Sequence, residues 1–166
     1  MRTATLTGRP ALALVPAPTP EAQPVSFCSH CGNPPEPQHK ISPTRVCPGC
    51  GLGLMLQSAE DVAPAPRGAF LVLDHTLSVC AVSAAAERLL AVQETDAVNT
   101  PIIRLLVPAE AEGDGRANLA AAITWAARGD GGVTHAVVRP ANTFGVRLNV
   151  RIAPCGPPRA ALLVFE

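Results

Sequence analysis

The chain has 166 residues, with 13 basic and 13 acidic side chains and a formal net charge of zero at neutral pH. That balance removes the electrostatic footprint by which nucleic acid or an anionic membrane surface is gripped. The length suits one ordinary domain, or a small module joined to a domain of about a hundred residues.

Residues 1–24 carry Pro10, Pro16, Pro18, Pro20 and Pro24 among alanines and threonines, without apolar periodicity. Such a segment buries too little surface to offset its ordering entropy, and it reads as a disordered tail. Its apolar run Ala11–Val15 is short for a signal-peptide core and is cut by Pro16. No window is apolar for long enough to span a bilayer. A cytoplasmic location is therefore expected, where paired cysteines hold metal more often than they form disulfides.

Two Cys-x-x-Cys-Gly knuckles follow, Cys28/Cys31/Gly32 and Cys47/Cys50/Gly51. Four thiolates in two close pairs match the tetrahedral shell of a structural zinc site, and we assign Cys28, Cys31, Cys47 and Cys50 as its ligands. The glycine after each pair suits a turn at positive φ whose backbone N–H groups face sulfur. His30, inside the first knuckle, and His39, in the connecting loop, read as bystanders because four cysteines already close the shell. A closed shell leaves no position for water or substrate, so the metal is expected to build structure without catalysing. The pattern resembles the zinc-ribbon family over about residues 25–57. The phrase CPGCG also looks like a rubredoxin knuckle, which keeps an iron-binding electron carrier as an alternative. Rubredoxins separate their knuckles further, however, and wrap the metal in aromatics, where this segment offers only Phe27. Many ribbons bind nucleic acid, but Lys40 and Arg45 against Glu36 give this one little charge for it.

The apolar Leu52, Leu54, Met55 and Leu56 read as the ribbon's last strand or a short helix. Residues 58–67, with Pro64 and Pro66, read as a stiff linker. In residues 68–166, Ala69–Leu73 reads as a fully apolar strand, Asp74-His75-Thr76 as a tight turn and Leu77–Val82 as a returning strand. Ser83 is placed to cap a short helix with Ala86, Leu89 and Leu90 on its buried face. Pro101 opens a helix-like piece that draws Ile102, Ile103, Leu105 and Leu106 into the core and ends at Pro108. A charged loop, Glu110 to Arg116, leads to a longer helix from about Ala117 to Arg128, stopped by Gly129. Strands are expected at about Val133–Arg139, Phe144–Ala153 and Ala160–Glu166. Val146, Leu148, Val150 and Ile152 alternate with Arg147, Asn149 and Arg151, so that strand has one wet face. Ala69–Leu73 and Ala160–Phe165 are apolar on both faces and belong at the sheet centre.

That order of elements resembles a PAS domain. The phrases GAFLVLDHTLSVCAVSAAAERLLAV, PIIRLLVPAE and the closing LLVFE carry the resemblance, which covers about 100 residues. It implies an α+β fold, a five-stranded antiparallel sheet with short helices on one face, acting through ligand sensing or protein contacts. The other face then needs cover, and we expect it to be an interface. The Leu52–Leu56 segment, the ribbon or a second copy of the chain are the candidate occupants, so a homodimer or protein partner is expected there. The flavin-binding phrase Asn-Cys-Arg-Phe is absent, the longer helix has no histidine for haem, and aromatics are scarce. A small apolar metabolite or a simply packed core stays open. His75 and His135 read as solvent-facing or satisfied, Trp125 as part of a wide apolar helix face or a partner contact, and Cys80 and Cys155 as inert thiols. No catalytic motif or phosphate loop is recognisable. The chain thus reads as a small cytoplasmic regulatory or adaptor protein and not an enzyme. The runner-up is a transcription-associated accessory factor whose ribbon contacts nucleic acid or polymerase.

Overall fold

The computed structural model describes residues 23–35, 45–109 and 114–166. Of the expected tail only its last two residues fall within these ranges. Glu36, His39, Lys40 and the first half of the charged loop Glu110–Arg116 lie outside them.

Strands β1 (Pro24–Cys28) and β2 (Met55–Ala59) pair antiparallel, with Phe27 opposite Leu56 and Cys28 opposite Met55. Of the apolar run Leu52, Leu54, Met55 and Leu56, the last two thus open a strand and not a helix. The rest of the chain builds a curled antiparallel sheet from β3 (Phe70–Leu73), β4 (Val79–Val82), β5 (Leu106–Pro108), β6 (Thr134–Pro140), β7 (Leu148–Cys155) and β8 (Ala160–Phe165). Its six strands run in the order β4-β3-β8-β7-β6-β5. Both strands that are apolar on each face, β3 and β8, lie inside the sheet and pair on both sides. Every side chain in them is buried except Phe165, which is half-buried.

One strand more is present than the five expected. The stretch after Pro101 makes a 3-10 turn only over Ile102–Arg104, and Leu106–Pro108 then pairs with Pro140–Val138 at the sheet edge. A proline has no N–H to donate inside a helix but is tolerated on an edge strand, so Pro108 favours the extended state. Ile103 consequently points to solvent while Ile102 and Leu106 enter the core. β7 begins at Leu148, four residues later than the expected start at Phe144, because Gly145 at φ 78° breaks the extended chain and leaves Phe144 85 % exposed.

Asp74 closes the β3–β4 turn by accepting from the Thr76 and Ser78 backbone N–H groups at 2.8 and 2.9 Å. Ser83 caps α1 (Ala84–Leu90) as expected: its hydroxyl accepts from Ala86 N at 3.2 Å. The same buried hydroxyl accepts from Phe70 N and donates to Gly68 O, both at 3.0 Å, so it also locks the start of β3. The helix buries Ala86 but leaves Leu89 exposed, since seven residues offer too narrow a stripe for both. After the short α2 (Glu94–Ala97), the long helix α3 (Asp114–Arg128) starts three residues before the expected point and stops at Gly129, φ 84°. Leu119, Ile123 and Ala126 of α3 pack on Leu71, Leu73, Val150, Ile152 and Leu163 from the inner sheet face.

The outer face carries a second apolar cluster. Phe70, Val72, Ala160, Leu162, Val164 and Cys155 meet Phe27 and Leu56 of the β1–β2 pair. Phe27 stands edge-on to Phe70 with ring centroids 5.6 Å apart. Gln57 exchanges two backbone hydrogen bonds with Gly156 in the β7–β8 turn, at 2.6 and 3.0 Å. The segment 58–67, read from sequence as a linker, holds the end of β2 and a 3-10 turn whose Val62 is 2 % exposed. Cys80 and Cys155 are kept apart by the interior strands β3 and β8.

Candidate metal centre

The two knuckles share one local design. In each, the glycine N–H donates to the carbonyl of the first cysteine, Gly32 to Cys28 and Gly51 to Cys47, both at 2.9 Å. Both glycines sit at positive φ, 72° and 69°, where a side chain would be strained. The turns bring Cys28, Cys31, Cys47 and Cys50 together with all four Sγ atoms within 4.8 Å of one another. Cys28 Sγ lies 3.6 Å from Cys50 Sγ, and Cys31 Sγ 4.0 Å from Cys47 Sγ. A tetrahedral ion with metal–sulfur bonds of about 2.3 Å requires sulfur–sulfur edges of about 3.8 Å, so the arrangement fits a single metal. The spacing is far wider than a disulfide bond, and all four thiols are free.

Backbone N–H groups face the sulfurs. His30 N and Cys31 N lie 3.4 and 3.5 Å from Cys28 Sγ. Burial pushes the Cys28 thiol up to about 12 and outweighs those two donors. Burial likewise raises Cys31, against the Asn33 N–H. At Cys50 burial also raises the thiol, but the Gly53 and Leu52 N–H groups and the thiols of Cys28 and Cys47 together win and bring it down to about 6. One thiolate is thus stabilised near neutral pH while buried neighbours hold their protons. Crowded sulfurs of this kind ionise together only around a cation.

Sequence reasoning missed the residues that join the knuckles. Gly53 is tucked against the first knuckle: a Cβ there would collide with Cys28 Sγ and come 2.7 Å from His30 N. Its carbonyl accepts from Cys47 N at 2.7 Å. Ser29 bonds Leu54 twice, through its hydroxyl at 2.9 Å and its N–H at 2.8 Å. The GLG phrase at residues 51–53 was the available signal, but it named no contact. His30, a bystander to the shell, faces the sheet domain: its Nδ1 lies 3.6 Å from Glu94 Oε2, and its carbonyl accepts from Ala84 N at the start of α1.

The remaining candidates lie elsewhere. His75 is exposed in its turn, and His135 is exposed at the rim of a cleft of about 500 Å³ between α3 and β5–β7. Leu119, Ala122, Ala136, Val138 and Val150 make its walls, with Asn118 and Thr134 at polar positions. Trp125 is 60 % exposed, so the wide-apolar-face reading fails for it: Leu119, Ala122, Ile123, Ala126 and Ala127 are the α3 residues that reach the core. Cys80 is exposed and Cys155 buried, and burial drives the Cys155 thiol up to about 12. Among the described residues no helix is long and apolar enough to cross a membrane. No protein-family model matches the chain, and no curated protein matches it either.

Proposed function

We propose that the protein is a small cytoplasmic regulatory or adaptor protein: a PAS-like domain acting through protein contacts, carrying a structural zinc ribbon on its sheet. The PAS-like reading is supported by two interior strands that separate the second strand from the long alternating one, with the helices gathered on the opposite face from the ribbon. The cleft beneath α3 suits a small, mostly apolar ligand that shifts those contacts. Zinc is favoured over iron because Phe27, the one aromatic of the ribbon segment, is spent on Phe70 in the sheet. Four protein thiolates leave no coordination position for water, which supports a scaffold and not a catalyst.

The single observation that carries this reading is the fusion of a closed four-thiolate cluster to one sheet face while the rest of that face stays open. His135, Val137 and Asn149 are exposed on the open half. Arg139 stacks over the Phe144 ring at 5.2 Å beside them. A partner is expected there. Co-purification from the native host, using wild type and a Val137→Asp variant, tests the reading. A partner or self-association lost in the variant supports it. Salt-sensitive binding to DNA in its place favours the accessory-factor reading, for which Arg139 beside the open half is the supporting observation.

A further inference from the structure

The first knuckle takes part of its shape from bonds made outside the ribbon. Its turn closes when Gly32 N donates to Cys28 O, and the sheet domain grips two peptide planes within it. His30 O accepts from Ala84 N and Cys31 O from Arg67 N, each at 3.0 Å. A Cβ on Gly32 would meet Ala65 O at 3.0 Å and the Phe70 ring at 3.3 Å, so the turn lies directly on the chain that leads into β3. The His30 ring leans the same way. Its Nδ1 lies 3.6 Å from Oε2 of Glu94, whose Oε1 accepts from Val82 N at 3.2 Å.

One of the gripped planes reaches a ligand. A trans peptide unit is planar, and its C=O and N–H point in opposite directions. The trans unit that joins His30 to Cys31 offers its oxygen to Ala84 N and its N–H to Cys28 Sγ, 3.5 Å away. Fixing the oxygen therefore fixes the direction of the hydrogen, and a bond accepted at one end of the amide polarises the donor at the other. An N–H aimed at sulfur favours the thiolate, which is the form that binds metal.

We infer that Ala84, the first residue of α1, is a positioning residue for the metal: its backbone N–H, acting through the His30–Cys31 peptide plane, aims the Cys31 N–H at Cys28 Sγ, so that the sheet domain tunes a ligand of the four-cysteine cluster. This rests on the reading that the four cysteines hold a metal. It gives α1 a task that neither knuckle announces, since residue 84 lies far along the chain from both. The fold also permits a clean deletion of the donor. Proline is well tolerated at the first position of a helix, and Ser83 before it is already extended, at φ −68° and ψ 150°, as a residue before proline must be. Ala84→Pro thus removes the N–H while sparing the helix, and Ala84→Gly keeps the N–H as its control.

The test uses the full chain and two readouts. Zinc affinity is measured by competition with a chelator, and protein loaded with NMR-active cadmium is examined for a coupling between the metal and the Cys31 amide proton, which reports the N–H to sulfur bond. The coupling is expected in the wild type and in Ala84→Gly and is expected to be lost in Ala84→Pro. The proline variant is expected to bind zinc about tenfold more weakly, as on loss of an outer-shell partner, and the glycine variant to bind as the wild type does. Amides of β3 and β8 are expected to keep slow hydrogen exchange in both. Wild-type affinity in a folded Ala84→Pro variant overturns the inference. So does an equal loss in Ala84→Gly, which would place the effect in side-chain packing. Absence of the Cys31 coupling in the wild type overturns it whether or not the proline variant folds. Failure of the wild-type chain to bind either metal would instead sink the metal assignment.

Discussion

At Gly53 the four-cysteine cluster depends on a hydrogen atom. The position lies outside both knuckles, yet a methyl group there collides with a ligand sulfur and crowds the His30 backbone on a segment fixed to α1. Gly53→Ala is expected to reduce metal affinity at least about tenfold, comparable to the loss of an outer-shell partner. Competition with a chromophoric chelator measures this, and unaltered affinity would contradict the packing. The thiols set a pH dependence of definite sign. Cys28, held up at about 12 by burial, is protonated at neutral pH without metal, and Cys31 is shifted the same way. Metal uptake must expel those protons, and expelling them becomes easier as pH rises, so affinity at pH 8 is expected to exceed that at pH 6. Titration calorimetry in buffers of differing ionisation enthalpy should report proton release on binding. A pH-independent constant would exclude thiol ligation. Of these residue-scale features, the four cysteines and two positive-φ glycines were legible, because ligand spacing and turn geometry are local. Gly53 was not, because its constraint comes from a strand segment closing on another knuckle.

Among the elements, legibility followed the pleat. β3 and β8 announced interior positions through apolar residues on both faces, and β7 announced a half-wet position through alternation. The Ser83 cap was equally local. The stretch from Pro101 to Pro108 misled because apolar pairs at helical spacing also fit a 3-10 turn followed by an edge strand. Only pairing with β6 decides between them. Trp125 misled for a different reason, since it lies on the solvent side of α3, away from Leu119, Ala122, Ile123, Ala126 and Ala127, which pack in the core. These assignments separate two substitutions. Leu163→Ala empties a fully buried position on the inner face of β8 and is expected to cost about 2–5 kcal/mol. Trp125→Ala, on the solvent side of α3, is expected to change stability by no more than about 0.5 kcal/mol. Urea denaturation of both variants checks the pair. A large loss at Trp125, or a negligible one at Leu163, would reverse the helix–sheet packing.

For the whole molecule, the need to cover the outer face was visible in sequence, but the occupant was not. Composition cannot say whether the ribbon, the neighbouring segment or another copy supplies the missing apolar surface. In the folded chain Phe27 and Leu56 supply it over β3 and β8, and burial of one such side chain is worth roughly 1.5–3 kcal/mol. The same contact makes the four-cysteine cluster part of the sheet domain's architecture, joined to it through β1, β2 and the Gln57–Gly156 pair. The proposed reading of the protein rests on those four sulfurs closing around one ion. X-ray absorption at the metal edge of protein purified without chelator tests that claim most directly. The account predicts one zinc per chain surrounded by four sulfurs at about 2.3 Å. A shell containing nitrogen or oxygen ligands, or zinc far below one equivalent, would contradict it.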